Sequence, residues 1–185
     1  LKIYRPKTNK ILEVDIIREK IIIPNITGKE LNDNIVYFKV NLFSLNLRNE
    51  FEVLKNELVN ENSQGIILDL RNNPGGYTSA ALNLADYWLE KGDLIFQERY
   101  PNIIKQYVAD REKEISLPTI ILTNNGTASA SEIVTSALKE HQEITVVGET
   151  TFGKGTGQSL SYFKDGSALK YTIFEWLTSH NNLVE

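Results

Sequence analysis

From Thr119 to Gln158 the chain changes its hydrophobic period repeatedly, and few folds accommodate the result. Thr119-Ile120-Ile121-Leu122-Thr123 is a β-branched apolar run that reads as a buried strand, and Asn124-Asn125-Gly126 is the turn that closes it. Ala130, Ile133, Val134, Ala137 and Leu138 then fall at helical spacing, so Thr127 to Ser131 occupy a helix start. Ile144 to Val147 is a second short strand, followed by Gly148-Glu149-Thr150-Thr151-Phe152-Gly153-Lys154-Gly155. A hydroxyl-rich turn and a lone lysine thus stand at two adjacent element ends, an arrangement that suits a nucleophile and its base.

Each part also has a plainer reading. A serine at a helix start can simply cap it, its hydroxyl accepting a bond from an orphan backbone N–H. The functional reading lifts that serine into a cleft where the helix N-terminus and turn amides favour developing negative charge. A lysine serves as general base only when neutral near pH 7, which takes burial or a neighbouring cation. Flanking glycines let backbone pack close around Lys154, but a Gly-Lys-Gly also serves as an exposed turn. Upstream, Ile66 to Gly76 (IILDLRNNPGG) joins a buried strand to a turn of residues that fix or free the backbone, and alone it is a strand-end turn.

Together the three segments resemble the carboxyl-terminal processing proteases, the tail-specific Ser-Lys peptidases of the S41 type. The resemblance is carried by Asn124 to Ile133 (NNGTASASEI), by Val147 to Gly155 (VGETTFGKG) with Gln158 four residues after the lysine, and by IILDLRNNPGG. It implies that Ser129, twenty-five residues before Lys154, is the nucleophile and Lys154 the base, with Gln158 in support. Thr127 and Ser131 are the disfavoured neighbours. It also implies an oxyanion hole formed by the Gly75 and Ala130 amides. The fold it implies is a layered α/β arrangement of the ClpP/crotonase type. It further implies protein substrates cut near apolar carboxyl-terminal tails, an exported, cell-envelope or lumenal setting, and no cofactor, and it allows a homo-oligomer.

Composition bounds the rest. At 185 residues, 41% hydrophobic and 24% charged with net charge −4, the chain has the make-up of a globular domain with a substantial core. No basic run or stripe points to nucleic acid. There is no cysteine, which excludes disulfides, thiolate metal sites and a cysteine nucleophile. The two histidines are His141 and His180; His141 lies a helix length from Ser129, which argues against a Ser-His-Asp triad through it. The chain opens on Leu1 and holds no methionine, which is expected of a fragment or excised domain. Neither a signal peptide nor an eighteen-residue apolar run is present in these residues.

Along the chain, Leu1 to Ile17 reads as a β-hairpin with Leu12, Val14 and Ile16 on one face and Glu13 and Asp15 on the other. By resemblance, residues 1–20 are the last strands of a peptide-recruiting PDZ domain, or a linker strand, and residues 21–185 the catalytic core. Ile21 to Pro24 and Ile35 to Val40 are strand candidates around a polar loop, Asn25 to Asn34. Arg48 to Asn60 predicts a packing helix through Phe51, Leu54 and Leu58. A second helix is expected over Ser79 to Lys91, burying Ala80, Leu84, Tyr87 and Trp88 and ending at Gly92. Leu94 to Glu98 is a strand, and Arg99 to Leu117 a long irregular connection, either a binding loop or a surface excursion. Gln158 to Phe163 and Ala168 to Leu177 form a hairpin around Lys164-Asp165-Gly166-Ser167, with Leu169, Tyr171 and Ile173 on one face. Ser179-His180-Asn181-Asn182 departs from the family pattern.

Two rival readings use the same residues. Gly148-x-x-x-x-Gly153-Lys154 follows a strand as a phosphate-binding loop would, but Gly155 stands where a Ser or Thr should hold magnesium, and the next segment alternates like a strand instead of forming a helix. A catalytically silent peptide-binding domain of the same fold is the other; the presence of the serine, lysine, glutamine and oxyanion glycine speaks against it.

Overall fold

The computed structural model describes residues 1–19, 23–142 and 144–184. Its centre is a five-stranded sheet in the order β3-β4-β5-β8-β9, built from β3 (Ile26–Glu30), β4 (Ile35–Val40), β5 (Gly65–Asp69), β8 (Thr119–Thr123) and β9 (Thr145–Gly148). β3 runs antiparallel to β4, and the other four strands are parallel. Their register lines Phe38, Leu68, Ile121 and Val146 in one row, which is why these short apolar runs pair as they do. The parallel strands are linked through α1 (Leu47–Leu58), α2 (Thr78–Ala85) and α3 (Ala130–Gln142). Phe51 of α1 fills the space between sheet and helices, 5.1 Å from the Phe38 ring and 4.7 Å from Tyr87. Such edge-on aromatic pairs add about 0.5–1.5 kcal/mol beyond the area they bury.

A second, antiparallel sheet has the order β10-β11-β6-β7, from β6 (Leu94–Tyr100), β7 (Ile103–Val108), β10 (Thr156–Tyr162) and β11 (Ala168–Thr178). Helix α3 packs against α2, β6 and β11, so it is held between the two sheets. The expected layered α/β class is what forms. A separate hairpin of β1 (Lys2–Arg5) and β2 (Lys10–Glu13) turns at Pro6–Thr8.

Several expectations need correction. β2 ends at Glu13, so Val14, Asp15 and Ile16 do not extend the alternation, and β1 is exposed throughout. With no core against it, the hairpin has no buried face to select a register. Half of the Ile21 to Pro24 candidate lies outside the described residues, and Ile23 and Pro24 are not in a strand. The polar loop Asn25 to Asn34 contains β3, an edge strand whose Gly28 sits where a Cβ would meet Leu58 at 2.6 Å. The second helix stops at Ala85 because the Tyr87 carbonyl accepts the Glu114 and Ile115 amides from across the fold (3.0 and 2.7 Å). The connection after Glu98 is β7 folded back on β6 at Pro101-Asn102, rather than an irregular loop.

Candidate active site

Strands β5, β8 and β9 are neighbours and parallel, so the loops that leave their carboxyl ends lie side by side. This is the crevice where open α/β sheets place their ligands. The three loops are the three motifs: Arg71 to Gly76, Asn124 to Ser129, and Glu149 to Gly155.

The first loop is anchored by Asp69, the buried last residue of β5. Its carboxylate accepts the Arg71 N–H (2.9 Å), Nε (3.0 Å) and Nη2 (2.7 Å), the Tyr37 hydroxyl (2.6 Å) and Lys39 Nζ (3.3 Å). Burial alone would push this carboxyl up, but the Arg71 and Tyr37 bonds and the Lys39 charge outweigh it and hold it well below the usual carboxylate range. Asn73, fully buried, donates to the Val40 carbonyl (2.9 Å) and accepts the Gly75 N–H on Oδ1 (2.9 Å). Its own carbonyl accepts the Ala128 N–H (3.0 Å) and the Ser131 hydroxyl (3.1 Å). Gly75 sits at φ 97°, and a Cβ there would lie 2.7 Å from the Ala128 carbonyl, 2.8 Å from Ser129 Cβ and 2.9 Å from the Ala130 nitrogen. No side chain fits, and that closeness puts Gly75 against the serine.

The second loop separates its three hydroxyls by what they bond. Thr127 Oγ1 donates to the Leu70 carbonyl (2.8 Å) and Ser131 Oγ to the Asn73 carbonyl, so both are buried ties between loops. Ser129 Oγ makes no hydrogen bond among the described residues. Ser129 adopts φ 57°, a left-handed conformation that costs a non-glycine residue about 1–3 kcal/mol. This settles the capping question: an N-cap residue is extended and its side chain accepts a helix amide, and Ser129 does neither. Instead Glu132 reaches back to the Ser129 N–H at 2.7 Å. A strained strand-to-helix turn of this kind presents a hydroxyl outward. The Ala130 N–H, first in α3, has no acceptor among the described residues.

The third loop is tied to the second at each step. Glu149 N–H donates to the Thr123 carbonyl (3.2 Å) and Phe152 N–H to the Thr127 carbonyl (2.9 Å). Glu132, 3% exposed, then accepts the Gly153 N–H on Oε1 (2.6 Å) and the Lys154 N–H on Oε2 (3.0 Å). One oxygen of Glu132 therefore bridges the backbone nitrogens of Ser129 and Lys154. Lys154 is half-buried, and its Nζ makes no hydrogen bond among the described residues. Strand β10 begins two residues later, with a register shift at Gly157/Gln158. Gln158 is exposed there and its side chain bonds nothing among the described residues. The strand also stands where a phosphate-binding loop would need a helix.

The structure thus brings Gly75, Ser129 and Ala130 together, ties the Lys154 backbone to them, and leaves the Gln158 side chain exposed on β10. His141 is engaged elsewhere, its Nε2 2.7 Å from the Leu94 carbonyl oxygen. No group of three metal-ligating side chains forms among the described residues. Sequence reasoning missed Glu132 and Asn73. The glutamate three residues after a helix-start serine is capping-box spacing and could have been found. Asn73, hidden in a turn-rich motif, carries no such signal.

The peptidase family S41 model matches residues 34–185. The chain is 36% identical over 169 residues to the carboxy-terminal processing protease CtpA of Bacillus subtilis, covering 91% of this chain and 36% of that protein. To the carboxyl-terminal-processing protease of a Picosynechococcus species it is 34% identical over 181 residues, 96% of this chain and 44% of that one. A solved photosystem II D1 C-terminal processing protease superimposes with a TM-score of 0.81 at 28% identity, over 97% of this chain and half of that one (50%). The chain therefore spans less than half the length of these two curated relatives, and over the part it spans it belongs to peptidase family S41.

Proposed function

We propose that this chain is the core of a serine peptidase that cuts protein chains near their carboxyl termini, with Ser129 as nucleophile and Lys154 as general base. The observation that carries this reading is the Glu132 carboxylate, which bonds the backbone of both residues while leaving Ser129 Oγ and Lys154 Nζ unengaged. Neutral Lys154 takes the Ser129 hydroxyl proton as Oγ attacks the peptide carbonyl carbon. The oxyanion is held by the Ala130 amide, which has no acceptor among the described residues, and by the Gly75 amide, for which the substrate oxygen replaces Asn73 Oδ1 as acceptor. Collapse expels the amine, which takes the proton from Lys154, and water activated by the same lysine hydrolyses the acyl-enzyme. Gln158 would orient Lys154 when substrate closes the site.

Names of the relatives support a carboxyl-terminal cleavage point, and exposed Phe152 (67%) and Tyr77 (58%), on the segments carrying Lys154 and following Gly76, suit an apolar tail. We further propose an exported or cell-envelope setting and a PDZ-derived origin for residues 1–20. A homo-oligomer is compatible with the reading, but no step of it needs one. The test is incubation with an unstructured protein ending in an apolar tail, followed by mass spectrometry beside Ser129→Ala. Cleavage near the tail that the variant lacks is expected; products unchanged in the variant would overturn the nucleophile assignment. A folded chain that binds the tail without cutting it would favour the silent domain of the same fold.

A further inference from the structure

The amide side of Lys154 is fixed by Glu132, and its carbonyl side is fixed by a residue from the other sheet. Trp176, 3% exposed on β11, donates its indole N–H to the Lys154 carbonyl at 2.7 Å. Its backbone N–H donates to the Gly155 carbonyl at 2.9 Å. A single buried residue thus satisfies two successive carbonyls, that of the lysine and that of the glycine after it. Trp176 is itself set by pairing with Glu98 of β6, so the antiparallel sheet, which the loop of the base enters as β10, holds that loop through β11 as well. Gly155 is also packed closely on the Val184 backbone, since a Cβ there would lie 2.4 Å from the Val184 carbonyl oxygen.

We infer that Trp176 is a positioning residue for Lys154, acting through the indole N–H rather than through ring packing. This rests on the proposed role of Lys154. A long side chain anchored on a loose backbone samples many positions for its terminal nitrogen, and a displacement near 1 Å from the reacting geometry costs about 10²-fold in rate. Losing the N–H also leaves a part-buried carbonyl without its protein partner, which loosens the loop that carries it.

Trp88 provides a matched control. Its indole N–H also makes one buried bond, to Thr119 Oγ1 at 3.0 Å, at the start of β8, the opposite end of that strand from the Ser129 loop. Trp176→Phe and Trp88→Phe each keep an aromatic ring and remove one N–H, so their melting temperatures should fall comparably. Two readouts are taken on the full chain: kcat and KM on an apolar-tailed peptide, and the rate at which acetic anhydride modifies Lys154, followed by mass spectrometry. Trp176→Phe is expected to lower kcat about tenfold with KM within about twofold, and to speed Lys154 modification, while Trp88→Phe changes neither. Equal behaviour of the two variants in the modification assay overturns the inference. If the unsubstituted chain cleaves no peptide, the proposed function fails by itself, and the modification rates still decide whether Trp176 fixes the lysine.

Discussion

The loop cluster at the carboxyl ends of β5, β8 and β9 and the outer half of the β10–β11 hairpin are both turn-linked β structure, yet they are held in opposite ways. In the cluster the bonds run between loops: Asn72 with Asn124, Asn73 with Ala128 and Ser131, Phe152 with Thr127, and Glu132 with both Ser129 and Lys154. From Gln158 to Thr172 the hairpin bonds only to itself, since β11 meets β6 only from Glu175 to Thr178. Its apolar side chains stay in solvent, Tyr162 at 77% exposure. Rigidity here comes from bonds between segments distant in sequence, which is what holding a strained φ at Ser129 requires.

The comparison breaks most visibly at the two side chains the cluster presents. Ser129→Ala and Lys154→Ala should each lower peptide cleavage at least about 10³-fold while the melting temperature stays near that of the parent. Loss of the fold in both, seen by circular dichroism, would make them structural residues. Glu132→Gln keeps an acceptor but loses the charge that serves three backbone amides, so kcat should fall about 10²-fold. Unchanged kcat in a folded Glu132→Gln protein would show that the bridge is dispensable.

Below the loops, Asp69→Asn leaves Arg71 and Lys39 without their anion and should cost about 3 kcal/mol in urea unfolding, near the low end for a broken buried pair because Arg71 is half in solvent. Because the folded carboxyl is depressed, its contribution is present above about pH 4, the unfolded value, and fades as the pH falls further. An Asp69→Asn protein that keeps the parent's acid sensitivity would contradict this. Asp86 has the opposite sign. Burial, and then the Asp110 carboxyl beside it, push its carboxyl up to about 6 against the lowering pull of the Asp110 N–H, so the native state holds the proton longer and stability declines as pH rises from about 4 to about 6. Asp86→Asn should flatten that decline, and an unaltered slope in thermal melts would refute the assignment. The smallest effect belongs to the ribbon: Tyr162→Ser should change unfolding free energy by less than about 0.5 kcal/mol. A loss of several times that would mean the ribbon is packed in solution.

The same contrast explains what was legible in the sequence. β4, β5, β8 and α3 announced themselves because a buried face repeats locally at a period of two or 3.6. β3 and β7 did not, being edge strands without a buried face that repeats at a period of two, so their pairing partners decide their state. Ser129 and Lys154 were singled out through their motifs. The residues that hold them were harder, because the Lys154–Trp176 and Asn73–Ser131 bonds span 22 and 58 positions. Such ties follow from the packing of one sheet against another, which no local pattern encodes. Gln158 is the converse case, named by its motif yet left exposed on β10 in this structure.

The most direct measurement is covalent trapping of the nucleophile. The chain is incubated with a fluorophosphonate, digested, and the adduct located by mass spectrometry in the parent and in Lys154→Ala. The account predicts one adduct, on Ser129, formed at least about a hundred times more slowly without the lysine, in line with the usual scale of general-base assistance. An adduct on another hydroxyl, or labelling of Ser129 at the same rate in Lys154→Ala, would contradict the Ser129–Lys154 pairing.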